Sequence, residues 1–504
     1  MKQEIFINSS PQESRIAIIE DGLLAEFLIE RKEEMGIVGN IYKGKVSRVL
    51  PGMQAAFVDI GMEKAAFLHA SDFSSVLDDV QLIGASGEDV EIEAPPPKRV
   101  SHRRLPLEKQ LSRDEAILVQ VAKDPLGTKG ARVTSHISLP GRYMVFMPGT
   151  KHIGISRRIE SEEERKRLKE IAGSLLTGDG GFILRTASEG RSKREIQRDL
   201  RFLTRLWRRL QKRAESAAAP ALIHQDLDLI ARSIRDFFTP ETEQLVIDSS
   251  KDYRRVVDFV GQFMPRLKSK IILHSGAEPL FERHAIEEKI EKALDRRVWL
   301  RSGGYIIIER TEALTAIDVN TGRFVGKRNQ EETIVKTNLE AAQEVVRQLR
   351  LRNVGGIIII DFIDMEKESD RKKVYDALRD ALKKDKARTN ILKISELGLV
   401  EMTRQRTRES LENQLLSPCP HCDGRGRIKS SVTVAYDLLR AIKKQQANLD
   451  NGKNIVVRLH PDVANFLYDE KNNSLENLER EINRRIIIKV SQELRHDHYE
   501  IAES

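Results

Sequence analysis

Four polar side chains directly follow two strongly apolar stretches, and their types and spacing could support chemistry. Asp318 and Asn320 end the run YIIIERTEALTAIDVN, and Asp361 and Asp364 lie at the end of the run IIIIDFIDM. Carboxylates beside buried apolar surface are costly unless a cation offsets their charge. Such oxygen ligands suit a hard divalent cation. The structural alternative is that these carboxylates only cap the turns that follow the strands.

The elements around these residues predict how they are positioned. We interpret the first run as one buried strand and the second run as another. Between them lies a helical pattern with one apolar face, formed by Ile334, Leu339, Ala342, Val346 and Leu349. Strand, helix and strand at this length predict a crossover with two parallel strands in one sheet. Asp318 and Asp361 should then lie roughly 5 Å apart at the carboxyl ends, where open α/β sheets bind ligands.

A second candidate site is the pair Cys419 and Cys422, the only cysteines in 504 residues. So few cysteines exclude a disulfide framework and favour a reducing compartment. Their Cys-x-x-Cys spacing is that of half a structural zinc site, which normally has four ligands. The other ligands could be His421, or His496 and His498 of a charged C-terminal tail, or two thiolates of a second chain. A redox pair of a thioredoxin-like enzyme is disfavoured, because the motif does not begin a helix after a strand.

The overall composition describes a folded, mildly basic chain. Its length predicts about three or four domains, and an apolar content of 40% is enough for sizeable cores. Lys and Arg number 85 against 77 Asp and Glu, which hints at a polyanionic partner. No apolar run approaches the ~20 residues that cross a membrane. No apolar signal region is seen at the start, so we expect a cytoplasmic protein without a membrane span.

The N-terminal quarter reads as short strands. Residues 1–35 form a meander too short to close a core, so it must pack on a later segment. Glycine turns and short strands from Gly39 predict a small barrel of the OB type. Phe57 and Phe67 on this barrel could stack on the bases of a single strand, although both could instead be core residues. Lys129 lies in a glycine turn suited to a phosphate.

Two further segments complete the sequence pattern. Residues 74–113 contain an acidic stretch, three consecutive prolines and a basic stretch, which predict a surface insertion or mobile loop. A helix follows with an apolar face of Ile196, Leu200, Leu203, Trp207 and Leu210. Its outward face carries Arg194, Arg198, Arg201, Arg205, Arg208 and Lys212. That basic face is either a solvated surface or a track for an RNA backbone.

These motifs resemble a known family. TEALTAIDVNTG, TNLEAAQEVVRQLRLRNVGGIIIIDFIDM and MTRQRTRESL with CPHC are similar to the catalytic half of the bacterial ribonuclease E/G family. GNIYKGKV, AAFVDIG and AFLHASD resemble the RNA-binding barrel of that family. The resemblance is nearly collinear to about residue 430 and weaker beyond it. The long C-terminal scaffold of the larger members is absent, so the chain resembles the short, ribonuclease-G-like form.

The resemblance implies a multidomain α/β fold with an inserted β-barrel. Its parts would be a ribonuclease-H-like subdomain (1–35 plus 220–292), an OB-fold RNA-binding domain (36–133), a 5′ sensor region (134–219), a DNase-I-like catalytic subdomain (293–416), a zinc-link (417–428) and a small C-terminal α/β domain (429–504). The insertion at 74–113 departs from the barrel of the family.

The implied activity is that of a Mg2+-dependent endoribonuclease. It would hydrolyse single-stranded RNA, prefer 5′-monophosphorylated substrates, and act in rRNA and tRNA processing and mRNA decay. By resemblance, Asp318 and Asp361 hold one Mg2+ and Asn320 orients the site. The residues that grip the RNA strand would be Phe57, Phe67 and Lys129, and those of the 5′-phosphate pocket would be Gly141, Val145, Arg185, Thr186 and Arg388.

The resemblance also implies how the chain assembles. Cys419 and Cys422 of two chains would share one structural Zn2+ in a homodimer, which could pair further into a tetramer. The alternative function is a non-catalytic RNA-binding or scaffold protein.

Overall fold

A computed structural model gives the chain as two compact units, residues 1–412 and 413–504. The residues it describes are 2–73, 90–92, 107–125, 129–150, 152–159, 161–175, 180–322, 330–395, 397–445, 454–469 and 473–503. Within these ranges, none of the helices combines the length and the apolar character that crossing a membrane requires.

The first unit contains most of the regular structure. Its strands are β1 (Gln3–Ser9), β2 (Glu13–Glu20), β3 (Leu23–Arg31), β4 (Ile41–Leu50), β5 (Ala55–Asp59), β6 (Ala66–His69), β7 (Val90–Ile92), β8 (Ala116–Lys123), β9 (Arg132–Thr134), β10 (Leu139–Pro140), β11 (Met144–Met147), β12 (Ile153–Ser156), β13 (Gly181–Leu184), β14 (Ala221–His224), β15 (Thr242–Ile247), β16 (Ile271–Leu273), β17 (Arg297–Trp299), β18 (Tyr305–Arg310), β19 (Leu314–Asn320), β20 (Gly356–Asp361), β21 (Thr389–Ile391) and β22 (Leu399–Arg404). Its helices are α1 (Glu162–Leu175), α2 (Lys193–Ser216), α3 (Leu229–Phe237), α4 (Ser250–Phe263), α5 (Leu280–Arg283), α6 (Ile286–Leu294), α7 (Gln330–Leu351) and α8 (Glu368–Leu382).

The N-terminal meander packs on a distant part of the chain, as its small size predicted. Its strands join two later ones in a sheet of order β16-β15-β1-β2-β3, in which β1 runs parallel to β15. Helices α3 and α4 cover the buried face of this sheet. Residues 221–224, which we grouped with this meander, instead pair as β14 with β4.

The predicted barrel is present and closed. Strands β4, β5, β6, β9 and β8 pair in that order, and a further pairing of β4 with β8 closes the ring. Most of the insertion at 74–113 lies outside the described residues. Its last part is not a surface loop, because Leu107 and Leu111 are buried in the barrel core. Their apolar side chains account for this difference.

The next region is a sheet of order β10-β11-β13-β12-β7, covered by α1 and α2. Ser192 is the N-cap of α2, and its side chain forms a capping box with Glu195. The predicted apolar face packs into the core, with Trp207 half-buried, and the six predicted basic residues are exposed.

The six-stranded sheet that carries the candidate catalytic residues has the order β17-β18-β19-β20-β22-β21. Strands β19 and β20 are parallel, which confirms the predicted crossover through α7. The interpretation of residues 305–320 as one strand was wrong, because a turn at Thr311 divides it into the hairpin β18–β19. Arg350 of α7 donates to Glu20 and Glu26, which ties this helix to the N-terminal sheet.

The second unit is a small α/β domain. After α9 (Leu411–Leu415) and a segment without regular structure come α10 (Ser431–Gln445), β23 (Ile455–Leu459), α11 (Pro461–Leu467), α12 (Ser474–Ile482), β24 (Ile486–Val490) and β25 (Tyr499–Glu503). The strands form a sheet of order β24-β23-β25. The expected charged tail is therefore wrong, because the chain after His498 pairs with β23.

Candidate active site

The two predicted catalytic carboxylates are neighbours in the sheet. Asp318 of β19 and Asp361 of β20 are register partners in a parallel pairing. The strand alternation explains why they face solvent: Ile317, Val319 and Ile360 on the opposite face are buried under α7. The pattern of buried and exposed residues thus delivers two carboxylates to one exposed surface.

Asn320 belongs to the same cluster. Its side-chain Nδ2 donates to Oδ2 of Asp318 at 2.8 Å. This hydrogen bond fixes the orientation of the Asp318 carboxylate and leaves its other oxygen available. Burial, followed by the negative charges of Asp318 and Asp364, raises the pKa of Asp361. The cluster therefore brings several negative charges close together on one surface.

This donor set fits a magnesium ion. Two carboxylates on adjacent strands offer hard oxygen ligands from one side, as a largely hydrated Mg2+ requires. Burial and then the like charges of Asp318 and Asp364 raise the pKa of Asp361, and a divalent cation would stabilise its charged form.

One positioning residue escaped the sequence analysis. Asn338 lies on α7 and is fully buried. Its Nδ2 donates to the backbone oxygen of Ile363 at 2.8 Å, and its Oδ1 accepts from the Ile363 N–H at 3.1 Å. Asn338 thus holds the segment that follows Asp361. The available signal was its place on the apolar stripe, four residues after Ile334 and four before Ala342.

We expect Asn338→Ala to lower stability and activity together. Two backbone groups of Ile363 lose their partner, which costs about 2 to 3 kcal/mol of unfolding free energy, and the Asp361 segment loses its support. Thermal unfolding and kcat on one RNA substrate measure the two effects. Gln343→Ala, at an exposed position of the same helix, is the matched control. An unchanged melting temperature in Asn338→Ala would contradict this role.

The predicted RNA-gripping residues lie together on the barrel. Phe57 and Phe67 are register partners on β5 and β6, with ring centroids 6.0 Å apart. Both rings are half-buried and lie outside the buried core of the barrel, so the core alternative does not hold for them. Lys129 is exposed and precedes Gly130, where a Cβ would clash with the Ala65 oxygen at 2.1 Å. This glycine brings the Lys129 segment against the start of β6.

Four of the five predicted sensor residues lie around one sheet. The guanidinium of Arg185 donates to the Gly141 oxygen at 2.8 Å, and Val145 on β11 is buried nearby in the same sheet. Thr186 is half-buried, and its hydroxyl lies 3.1 Å from that of Ser156. Gly141 must be a glycine, because a Cβ would lie 2.6 Å from Oδ2 of Asp199 on α2.

Asp236 is the second functional candidate that sequence reasoning missed. Its carboxylate pairs with Arg185 at 3.0 Å and with Arg235 at 2.8 Å. Burial opposes its ionisation, but the charges of Arg235 and Arg185 hold the pKa of Asp236 well below its usual range. No local sequence signal links residues that far apart in the chain.

Arg388, the fifth predicted sensor residue, comes from the predicted catalytic part of the chain. It is exposed and follows a segment bound to the sensor region. Arg158 donates to the backbone oxygens of Asp385 at 2.7 Å and Ala387 at 3.3 Å. The Lys386 ammonium group donates to the backbone oxygen of Asp236 at 2.9 Å. The segment continues into β21, which pairs with β22, the neighbour of the Asp361 strand.

The two cysteines lie in the irregular segment of the second unit. Cys419 is exposed and Cys422 is half-buried. The backbone N–H groups of Cys422 and His421 lower the pKa of the Cys419 thiol. The Gly426 N–H donates to Sγ of Cys422 at 3.3 Å. Such N–H donors stabilise thiolates, the form in which cysteine binds zinc.

No zinc site is complete within the described part of one chain. Among the described residues, the cluster of potential metal ligands consists of His460, Asp462 and His496, and it includes neither cysteine. His496 lies 3.1 Å from the Ser431 hydroxyl and 3.6 Å from the Asp462 carboxylate. The side-chain partners of this histidine are therefore Ser431 and Asp462.

Comparison with known proteins gives concordant matches along the chain. A model described as "Ribonuclease E/G family" matches residues 138–407, and one described as "RNase E/G, Thioredoxin-like domain" matches residues 418–504. Ribonuclease G of Haemophilus influenzae is 47% identical over 500 residues, which cover 99% of each chain. Ribonuclease G of Escherichia coli is 45% identical over 490 residues, 97% of each. Ribonuclease E of Haemophilus influenzae is 37% identical over 503 residues, 99% of this chain and 52% of that protein.

Proposed function

This chain belongs to the ribonuclease E/G family and is an endoribonuclease, and we propose that it hydrolyses single-stranded RNA with Mg2+ held by Asp318 and Asp361. The observation that carries the proposal is the register pairing of these carboxylates, with Asn320 bonded to Asp318. A non-catalytic scaffold is not favoured, because it would have no use for this arrangement. The cellular roles that fit are rRNA and tRNA processing and mRNA decay in the cytoplasm.

The roles of the site residues follow from their positions. Bound Mg2+ would supply activation of water and stabilisation of charge on the scissile phosphate. Asp318 and Asp361 hold the ion from adjacent strands, and Asn320 keeps the Asp318 carboxylate in one orientation. Asn338 fixes the backbone that follows Asp361.

We assign the remaining regions to substrate binding. Phe57 and Phe67 would stack on bases, and Lys129 would meet the backbone phosphates. The barrel is the OB-type domain, and the sheet of β1 and β15 is the ribonuclease-H-like subdomain of the proposed architecture. The sheet that bears Asp318 is the DNase-I-like subdomain.

A preference for 5′-monophosphorylated RNA is proposed for the pocket around Arg185, Thr186 and Arg388. Arginine provides a fork of donors for phosphate, and threonine provides a hydroxyl donor. The contacts of Arg158 and Lys386 connect this pocket to the segment that leads into β21, which pairs with β22. Binding of a 5′-phosphate would thereby stabilise the arrangement of the catalytic sheet.

The proposed activity is tested with a single-stranded oligonucleotide that carries a 3′ fluorophore and either a 5′-monophosphate or a 5′-hydroxyl. We expect Mg2+-dependent internal cleavage, faster for the monophosphorylated form, and none with excess chelator. Cleavage that persists after removal of divalent cations would overturn the metal assignment.

Thr186→Val should slow cleavage of 5′-monophosphorylated RNA and spare 5′-hydroxyl RNA. The change removes one hydroxyl donor to phosphate at nearly constant volume, worth roughly 1–3 kcal/mol or about 5- to 150-fold in kcat/KM. It tests the pocket more cleanly than Arg185→Ala, because Arg185 is buried in an ion pair with Asp236. Ser174→Val, at an exposed hydroxyl on α1, is the control. An equal loss on both substrates would indicate a folding defect instead.

A further inference from the structure

An aromatic cluster lies at the edge of the catalytic sheet. Trp299, one of the two tryptophans of the chain, lies on β17 and is 63% exposed. Its ring packs edge-on against that of Tyr305, with centroids 5.4 Å apart. The guanidinium of Arg297 lies 4.7 Å from the Tyr305 ring centroid and 5.8 Å from that of Trp299. We call these three residues the edge platform.

The strand register places the edge platform on the catalytic face. Trp299 pairs with Tyr305, and Tyr305 pairs with Asn320. Two residues further along each strand, a second set of cross-strand partners runs from Arg297 through Ile307 and Asp318 to Asp361. Cross-strand partners share one face of a sheet. Tyr305 thus lies on the strand next to that of Asn320, about 5 Å away, and Trp299 lies on the following strand.

The connection between β17 and β18 holds this platform in place. The Leu300 N–H donates to the Gly304 oxygen at 2.8 Å, which closes the turn. The Ser302 N–H donates to the Glu340 carboxylate on α7 at 2.9 Å. A Cβ at Gly304 would lie 2.7 Å from the Asn320 oxygen, so glycine lets the turn approach the catalytic strand. The aromatic rings are therefore placed in advance of any ligand.

A nucleic-acid base is the ligand that this chemistry fits. An exposed indole offers a large π-face, and aromatic platforms with a nearby arginine stack on bases irrespective of sequence. An RNA strand bound at Asp318 and Asp361 would lie on the same face of the sheet as these rings. The buried residues Ile306 and Val319 on the other face belong to the core, so the platform is not part of that core.

We propose that Trp299 and Tyr305 form a stacking subsite for the base of a nucleotide next to the scissile phosphate, with Arg297 at its side. This proposal rests on the proposed function, because it takes Asp318 and Asp361 as the cleavage site. The subsite is distinct from the barrel aromatics Phe57 and Phe67. It would set how a nucleotide beside the cleaved bond is held, whereas the barrel grips the strand elsewhere.

The first test uses tryptophan fluorescence in the full chain and does not depend on cleavage. In a Trp207→Phe, Asp318→Asn background, Trp299 is the sole tryptophan. We expect an uncleaved single-stranded RNA to quench its emission, and an abasic strand of equal length to quench it far less. Equal quenching by both strands, or none at saturating RNA, would overturn the proposal. A change that depends on protein concentration without RNA would also overturn it, since it would identify a second copy as the occupant.

The second test locates the nucleotide. A series of substrates with one abasic position each is cleaved by the parent enzyme and by Trp299→Ala. We expect Trp299→Ala to raise KM roughly 10-fold or more, Trp299→Phe to restore most of it, and kcat to change less. One abasic position beside the cleaved bond should raise the KM of the parent enzyme but not that of Trp299→Ala. If every abasic position affects both enzymes equally, the subsite is refuted even where cleavage itself is confirmed.

Discussion

Asp318→Asn and Asp361→Asn are each expected to reduce RNA cleavage by about a thousandfold or more while leaving RNA affinity nearly unchanged. Each change removes one charged ligand from the pair of carboxylates that are register partners across β19 and β20. Loss of such a ligand for a hard cation removes several kcal/mol of transition-state stabilisation, and each 1.4 kcal/mol is a factor of about ten. We expect affinity to depend instead on the barrel and on contacts with the RNA backbone, so it should persist.

The measurement separates binding from chemistry. Fluorescence anisotropy with a labelled oligonucleotide gives the dissociation constant, and single-turnover cleavage at saturating Mg2+ gives the rate of the chemical step. Glu401→Gln is the matched control, because it removes an exposed carboxylate from β22, beside Ile359 of the same sheet. Near-normal turnover in either aspartate variant would disprove the assignment of the metal ligands. A tenfold or greater loss in Glu401→Gln would show that net charge on this face, rather than ligation, is what matters.

The juxtaposition of Asp318 and Asp361 was predictable because it depends on local patterns. Two apolar runs joined by an amphipathic helix predict parallel neighbours, and the alternation of each strand decides which side chains face solvent. The turn at Thr311 was missed because the polar residues around it interrupt an otherwise apolar run only briefly. The boundary between β18 and β19 therefore required the observed hydrogen bond from the Thr311 N–H to the Leu314 oxygen.

Other parts of the site depend on contacts between distant segments. Asp236 pairs with Arg185, and Arg158 binds the segment before Arg388, across separations that no local periodicity encodes. The edge platform needs the register of β17 on β18, which follows from how the turn after Trp299 closes. Asn338 is intermediate, because its place on a buried helix stripe was visible but its partner Ile363 was not.

The second large effect is expected on assembly of the chain, when the two cysteines of the predicted zinc-link are replaced. Cys419→Ser combined with Cys422→Ser should remove bound zinc and convert a homodimer to monomers. Each chain offers two cysteine ligands, with N–H donors directed at their sulfurs, whereas a structural zinc site needs four. Cys419 is exposed, so its thiolate is accessible to a second copy. In a symmetric dimer, one loop can meet its own copy across the axis.

The redox alternative for these cysteines remains disfavoured by their position. The segment 418–504 matches a family model whose description includes a thioredoxin-like domain. However, Cys422 precedes the first residue of α10, Ser431, by a stretch without regular structure. A redox-active pair is normally activated at a helix N-terminus, and that placement is missing here. We therefore propose zinc binding, rather than redox chemistry, as the role of these two cysteines.

Zinc content and molecular mass, measured together on the same samples, decide between the shared ion and a site within one chain. We expect the parent protein to contain about half a zinc ion per chain as a dimer, or as a tetramer if dimers pair. His496→Ala is the control, because this histidine belongs to the separate group with His460 and Asp462, and it should leave the dimer and its zinc unchanged. The Mg2+ site should still form in the double cysteine variant, since Asp318 and Asp361 are positioned by their own sheet. One zinc per chain in a monomer, or a stable dimer of the double variant without zinc, would refute the shared ion.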